Sequence, residues 1–537
     1  MPQTFTISGL TTPTTYFIAL VTLDEAPNAS GMSNVVQANV LFQPAVTFLA
    51  DKETMGVQEL YMADLAGTMI VKGSAPLVAN GDVLGYEWSP DRTQVAYVAD
   101  QETDGRNELY VVSAWGGTPV KVSGPLIPGG WVVAAPSWAP DGSRIMYRAQ
   151  QESSAFELYT SHPDGTGNVK VSGTLVPGGV VTAAVWSPDS VRLAYMADQD
   201  VVGTDDAYLS TADGSSNVRV SPVLPPGQEV NGGLAFSPDG TKFSFAAGTW
   251  NAIQEIYTVN PDGTGLVKVT GTFQAGARLY DWIWAPDGSK IAFDSDMEVD
   301  GVIELYTALP GVAASQTKVS GTLAGGGIVQ NFAWAPDSTE LSFRAFQNGT
   351  GKQEHFACKA DGTGRVTING PLAAGGQAQG VAAWSPDSSR IAYIAPQDAL
   401  LLELYTSLRD GTGSVRVSGP LVAGGAVNQY SATWAPDGSK VLYFADQEVD
   451  ERFDLYTSFP ATSTGNIRVS AVPVAGGDVT ALQFFWSVDS SKIVYAGDQD
   501  TDGTQELYST DPTGSAGNTK ISGPLVPGGS VLSFKIR

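Results

Sequence analysis

The stretch WAPDGSKVLYFADQEVDERFDLYTS, from Trp434 to Ser458, decides the fold. It reads as a small β-meander. Trp434 closes one strand, Pro436-Asp437-Gly438 make a tight turn, and Lys440 to Ala445 form a second strand. A loop of acidic residues follows, then a third strand carrying Leu455 and Tyr456. The turn has a chemical reason: Pro436 cannot donate a ladder hydrogen bond, Asp437 can accept from nearby backbone N–H groups, and Gly438 tolerates a positive φ. Such a meander cannot bury its apolar faces alone, so it must stack on copies of itself.

The copies are present. The Trp/Phe-Ser/Ala-Pro-Asp signature recurs at Trp88, Trp138, Trp186, Phe236, Trp284, Trp334, Trp384 and Trp434, and a degenerate Trp486-Ser487-Val488-Asp489 ends the series. Neighbouring signatures lie 48 to 52 residues apart, with Trp138 to Trp186 and Trp434 to Trp486 as the extremes. A repeat of that length with several short strands predicts the blade of a β-propeller. The third-strand signature gives the number. Glu59-Leu60-Tyr61 is the first and Glu506-Leu507-Tyr508 the tenth, with Glu354-His355-Phe356 a variant between them. Propellers typically have about 4 to 8 blades. The expectation is an all-β fold with a single ten-bladed ring over residues 42–537; two five-bladed propellers are the alternative.

The ends of the repeat region carry the topology. Val46 to Gly73 matches the second, third and fourth strands of a blade, with no tryptophan strand ahead of it. Pro527 to Arg537 matches a linker and a first strand, then stops. The halves are complementary, so the C-terminal strand is expected to complete the first blade and hide the sheet edges that an open ring would expose. Residues 1–41 read differently. They alternate apolar and polar residues over three segments, and Leu10 to Thr15, Tyr16 and the turn Asp24-Glu25-Ala26-Pro27-Asn28 resemble the last part of a fibronectin type III domain.

With the tryptophan turn, the I-A-Y, D-G and E-L-Y groups and the closing D-G-T turn in fixed order, residues 45–537 resemble the PD40 class of WD40-like repeats, found in TolB-type propellers. That resemblance implies a β-propeller with protein-binding duties in the bacterial envelope. Similar propellers also gate serine peptidases, but no G-x-S-x-G elbow occurs in this sequence. The repeats here are longer and more numerous than in the TolB type, and the sequence shows no counterpart of the small α/β domain that precedes that propeller.

Charge narrows the partners. With 29 basic against 55 acidic residues and a net charge of −26, the chain repels nucleic acid and anionic membrane surfaces. No run of apolar residues is long enough for a membrane span, and no signal peptide is visible, because Met1-Pro2-Gln3 opens directly into a strand-like pattern. An extracytoplasmic location (secreted, cell-surface or periplasmic) is what the resemblances imply. The single cysteine, Cys358, rules out an intramolecular disulfide and reads as a buried, inert thiol. His162 and His355 lack the context of a nucleophile.

Two sets of residues could carry chemistry. In the acidic loops, Asp100, Glu102, Asp104 and Glu108 surround a glycine, and the pattern repeats at Asp296, Glu298, Asp300 and Glu304 and at Asp498, Asp500, Asp502 and Glu506. Oxygen ligands at that spacing resemble the calcium loops of integrin-type propellers. Asp and Gly also make turns without any metal, and no other cofactor is expected. The second set lies on the strand ahead of each tryptophan: Tyr86, Glu87, Tyr280, Asp281, Trp282, Asn331, Gln379, Gln429 and Tyr430. This strand lines the channel of a propeller, so aromatic and polar residues there suit recognition of a protein or glycan. Three functions compete: a non-enzymatic binding scaffold, a polysaccharide-active enzyme using paired carboxylates, and a structural surface or spacer protein. Glu87 and Asp281 are the only channel carboxylates and are far apart in the ring, which disfavours catalysis.

Overall fold

The computed structural model describes residues 45–249, 254–323, 327–346, 351–515 and 517–536, together with strands Thr14–Ile18 and Val36–Val40. These residues contain strands and turns and no helix. From Ala45 onward they form ten antiparallel sheets, the blades of a propeller. Blade 2 shows the pattern, from the channel outward: Val83–Trp88, Gln94–Ala99, Glu108–Ser113 and Val120–Lys121. Blades 3 to 10 follow in chain order, each holding one tryptophan or phenylalanine signature.

Blade 1 is assembled from both ends of the repeat region. Val531–Ile536 lies innermost and pairs antiparallel with Val46–Ala50, placing Val46 opposite Ile536 and Phe48 opposite Phe534. Ten seams then close one ring, each a buried apolar cluster drawn from consecutive blades. Leu49 and Leu60 of blade 1 pack on Tyr86 and Trp88 of blade 2. Ile256 of blade 5 packs with Phe293 and Tyr306 of blade 6. Val494 and Leu507 of blade 10 meet Phe48 and Tyr61 of blade 1. Two separate rings would leave blades 5 and 6 without a common seam, so the single ring is the arrangement found.

The signature residues explain the seams. Trp138, Trp186 and Trp434 donate their indole N–H to the preceding blade, to Glu87 O at 3.1 Å, Ser137 O at 3.1 Å and Ala383 O at 2.9 Å. Each such ring contributes on the order of 2–3 kcal/mol by burial. Within every blade an aromatic of the second strand stacks on one of the third, as Tyr97 does on Tyr110 with centroids 5.4 Å apart. The turn works as the sequence suggested: Ser439 N donates to Asp437 Oδ1 at 2.9 Å and Gly438 has φ 71°. Where serine takes that positive-φ position it ties blades together, since Asp337 N of blade 7 donates to Ser388 Oγ of blade 8 at 3.0 Å.

The ring has two faces. The tryptophan turns lie on one, and the acidic loops and interblade linkers on the other. Thr14–Ile18 and Val36–Val40 pair antiparallel, Thr14 opposite Val40. The rest of the fibronectin-like segment lies outside the described residues. Cys358 is buried in the seam between blades 6 and 7, and burial pushes its thiol up to about 12, as expected for an inert side chain.

Candidate functional site

On the loop face, the first aspartate of each candidate metal loop holds backbone. Asp100 accepts from Asp82 N at 2.5 Å through Oδ1 and from Gly105 N at 2.9 Å through Oδ2, so it pins the incoming linker to the loop. Asp296 does the same for Arg278 N and Gly301 N, and Asp498 for Asp478 N and Gly503 N. The other carboxylates meet a cation from the same chain. Lys121 Nζ lies 2.6 Å from Glu102 and 2.9 Å from Glu108. Lys318 bridges Glu298 and Glu304 at 2.7 Å each, and Lys520 bridges Asp500 at 2.6 Å and Glu506 at 2.5 Å. Asp104, Asp300 and Asp502 are exposed at the loop tips. In each loop the positive charge between the two acids is a lysine ammonium. No group of three or more potential ligands is placed to hold a metal ion among the described residues.

The channel-strand candidates separate into two groups. Tyr86 is buried in the seam between blades 1 and 2, with its hydroxyl 3.3 Å from Thr47 O, and Glu87 pairs with Lys535. Trp282 lies partly buried at the seam of blades 5 and 6, packed over the backbone of Gly233. The others gather on one arc. Tyr280 and Asp281 of blade 6, Asn331 of blade 7 and Tyr430 of blade 9 line a cleft of 550 Å³, joined by Phe332 and Val381. Tyr280 and Tyr430 are 47% and 57% exposed, so their faces are open to a ligand. Gln379 stands behind this wall, its Oε1 accepting from Arg344 at 3.4 Å. Gln429 contributes backbone: its carbonyl presses so close to Gly380 that a Cβ there would sit 1.8 Å away, and Gly380 has φ 65°. Only glycine fits.

Two polar residues in and behind this arc, Asp294 and Arg344, have no place in the sequence reading, and a third, His355, figures there only as a variant of the third-strand signature without the context of a nucleophile. One second-strand position is apolar in most blades: Leu49, Val98, Met196, Ala246, Ile394, Phe444 and Ala496. In blades 3, 6 and 7 it holds Arg148, Asp294 and Arg344, the last two beside this arc. Asp294 accepts from Asp281 N at 2.8 Å. Burial, with the charge of Asp281 adding to it, raises the Asp294 carboxyl to about 7. Arg344 is 7% exposed and donates to Gln330 Oε1 at 2.6 Å and Ala378 O at 3.3 Å. Opposite it on the third strand is His355, fully buried, with Nε2 3.1 Å from Gln379 O; desolvation lowers its pKa to about 4 and keeps it neutral. The signal was a departure from the repeat in three neighbouring slots.

Comparison with known proteins finds only distant likenesses. No family model matches the chain, and no curated protein does. A solved structure from a study of two prolyl endopeptidases is 14% identical, with 68% of this chain and 55% of that one covered and a TM-score of 0.37. The chain thus spans about half the length of that endopeptidase. An oligogalacturonate lyase in complex with manganese is 12% identical over 68% of this chain and 98% of its own, with a TM-score of 0.36. A putative TolB from Agrobacterium tumefaciens is 13% identical over 68% and 99%, with a TM-score of 0.29. The described residues contain no helix long and apolar enough to cross a membrane.

Proposed function

We propose that the chain is a non-enzymatic binding propeller of the bacterial envelope or cell surface, which takes a protein or glycan partner at the cleft over blades 6 to 9. The observation that carries this reading is the clustering of Tyr280, Asp281, Asn331 and Tyr430 around one cleft, although they come from three blades. The clamp and seam residues repeat around the ring, whereas this set does not. Exposed aromatic faces beside a few polar groups suit recognition. The envelope location rests on the repeat resemblance.

The test is capture. Wild-type protein and the Tyr280→Ala/Tyr430→Ala double variant are immobilised and exposed to envelope extracts and to a glycan array. Loss of a captured species by the variant, with an unchanged melting temperature, supports the cleft; equal capture by both defeats it. One observation favours catalysis as a second reading: Asp281 lies beside Asp294, which stays protonated to about 7, so an acid and a carboxylate share the cleft. Polysaccharide turnover by the wild type that disappears in Asp294→Asn would establish that reading instead.

A further inference from the structure

The guanidinium of Arg344 is desolvated at the wall of the cleft. Among the described residues, the partners within hydrogen-bond distance of it carry no charge: Gln330 Oε1, Ala378 O and Gln379 Oε1. Its Nε is buried and has no acceptor. The chain holds 55 acidic and 29 basic residues, and Arg219, Arg409, Arg416 and Arg452 each pair with carboxylates. A desolvated cation without a counter-charge costs several kcal/mol, and a guanidinium fork matches a carboxylate in shape.

Blade 3 supplies an internal control. Arg148 occupies the same second-strand slot, and its Nη1 donates to Thr182 O at 2.5 Å and to Val181 O at 3.1 Å, the latter just as Arg344 donates to the equivalent carbonyl of Ala378. Carbonyls of the next blade are therefore all that an arginine in this slot needs for packing. Blade 7 adds more: Gln330 accepts from both Arg344 and Gln353, and the assembly opens into the cleft.

We propose that the cleft takes an acidic saccharide, with its carboxylate against Arg344 and its ring against Tyr280 and Tyr430. The inference rests on the binding reading above and names its ligand class. Because the cleft crosses separate sheets, it offers no continuous strand edge for an extended peptide to join. It offers two aromatic faces and discrete polar groups at Asn331, Gln330 and Asp281, which suit a polyhydroxylated ring. Asp294 adds no second negative charge beside the ligand below about pH 7, where it is protonated.

Calorimetric titration of the whole chain with a panel of uronic-acid disaccharides and their carboxyl-reduced counterparts tests this. At least one uronate is expected to bind about tenfold or more tightly than its reduced form, as a charge-assisted hydrogen bond implies. Arg344→Gln should remove that preference and Arg148→Gln should leave it. Should Arg344→Gln fail to fold, Tyr430→Ala, at an exposed position, is expected to weaken both sugar forms alike. Equal affinity for acidic and reduced sugars overturns the carboxylate assignment and leaves the cleft reading standing. If no saccharide binds while Tyr280 and Tyr430 are still needed to capture an envelope protein, the ligand is a protein and the inference fails. If the double variant loses nothing at all, both readings fail together.

Discussion

Blade 1 and blade 7 are built to the same plan and depart from it in opposite ways. Blade 1 is broken in its chain and regular in its chemistry: Val531–Ile536 arrives from the far end of the sequence, yet Leu49, Leu60 and the clamp of Lys72 on Glu53 and Glu59 all follow the repeat. Blade 7 is continuous in its chain and irregular in its chemistry. Arg344 and His355 replace apolar residues, Thr367 stands where other blades carry the clamp cation, and non-glycine Asn331 adopts φ 52°. Repetition marks what the ring requires of every blade. The departures of blade 7 lie beside the cleft proposed above as the binding site.

The comparison breaks most severely at the clasp. Deleting residues 531–536 removes the inner strand of blade 1, exposes the edge of Val46–Ala50 and strips Phe534 from the last seam. The expected loss is on the order of 5 kcal/mol or more, with association through the bared edge. A thermal melt and size-exclusion profile matching those of the full chain would show that the ring does not depend on its clasp.

Asp294 sharpens the other side. Its folded pKa, about 7, lies above the 3.8 of an ordinary aspartate, so the folded state binds the extra proton and stability falls as pH rises from about 4 through 7. Asp294→Asn removes that penalty: melting temperatures should match the wild type near pH 4 and exceed it at pH 8, by up to about 4 kcal/mol in stability. Parallel melting curves at both pH values would show instead that the site is not desolvated. The smallest effect is expected at the acidic loops. Lys121, Lys318 and Lys520 already sit between their carboxylates, so a melt with and without chelator should show no shift. A fall of several degrees on chelation would mean that a metal displaces the lysines.

The blade count and the clasp were legible because a repeat shows its period and its incomplete ends without any knowledge of side-chain direction. Which first-strand residues face the channel was not legible. A β-bulge interrupts the first strand in most blades, between Val83 and Gly85 in blade 2 and between Leu279 and Asp281 in blade 6, and a bulge resets the alternation that counting back from the tryptophan assumes. Tyr86 therefore points into a seam while Tyr280, also placed on that strand, opens on the cleft. Asp294 and Arg344 carried a readable signal, being charged where every sister blade but blade 3, with Arg148, is apolar. In the acidic loops the spacing shows the carboxylates but not that Lys121, Lys318 and Lys520 of the fourth strand lie between them.

The pairing of Val46 with Ile536 fixes how the disc can be held. The polypeptide enters and leaves blade 1 side by side, at the end of the strands where the tryptophan turns lie. The cleft is at the opposite end, where Val329 pairs with Ala345 and Gln330 with Arg344. The two chain ends of the ring therefore emerge together on the face away from the cleft, and the pocket lies clear of both.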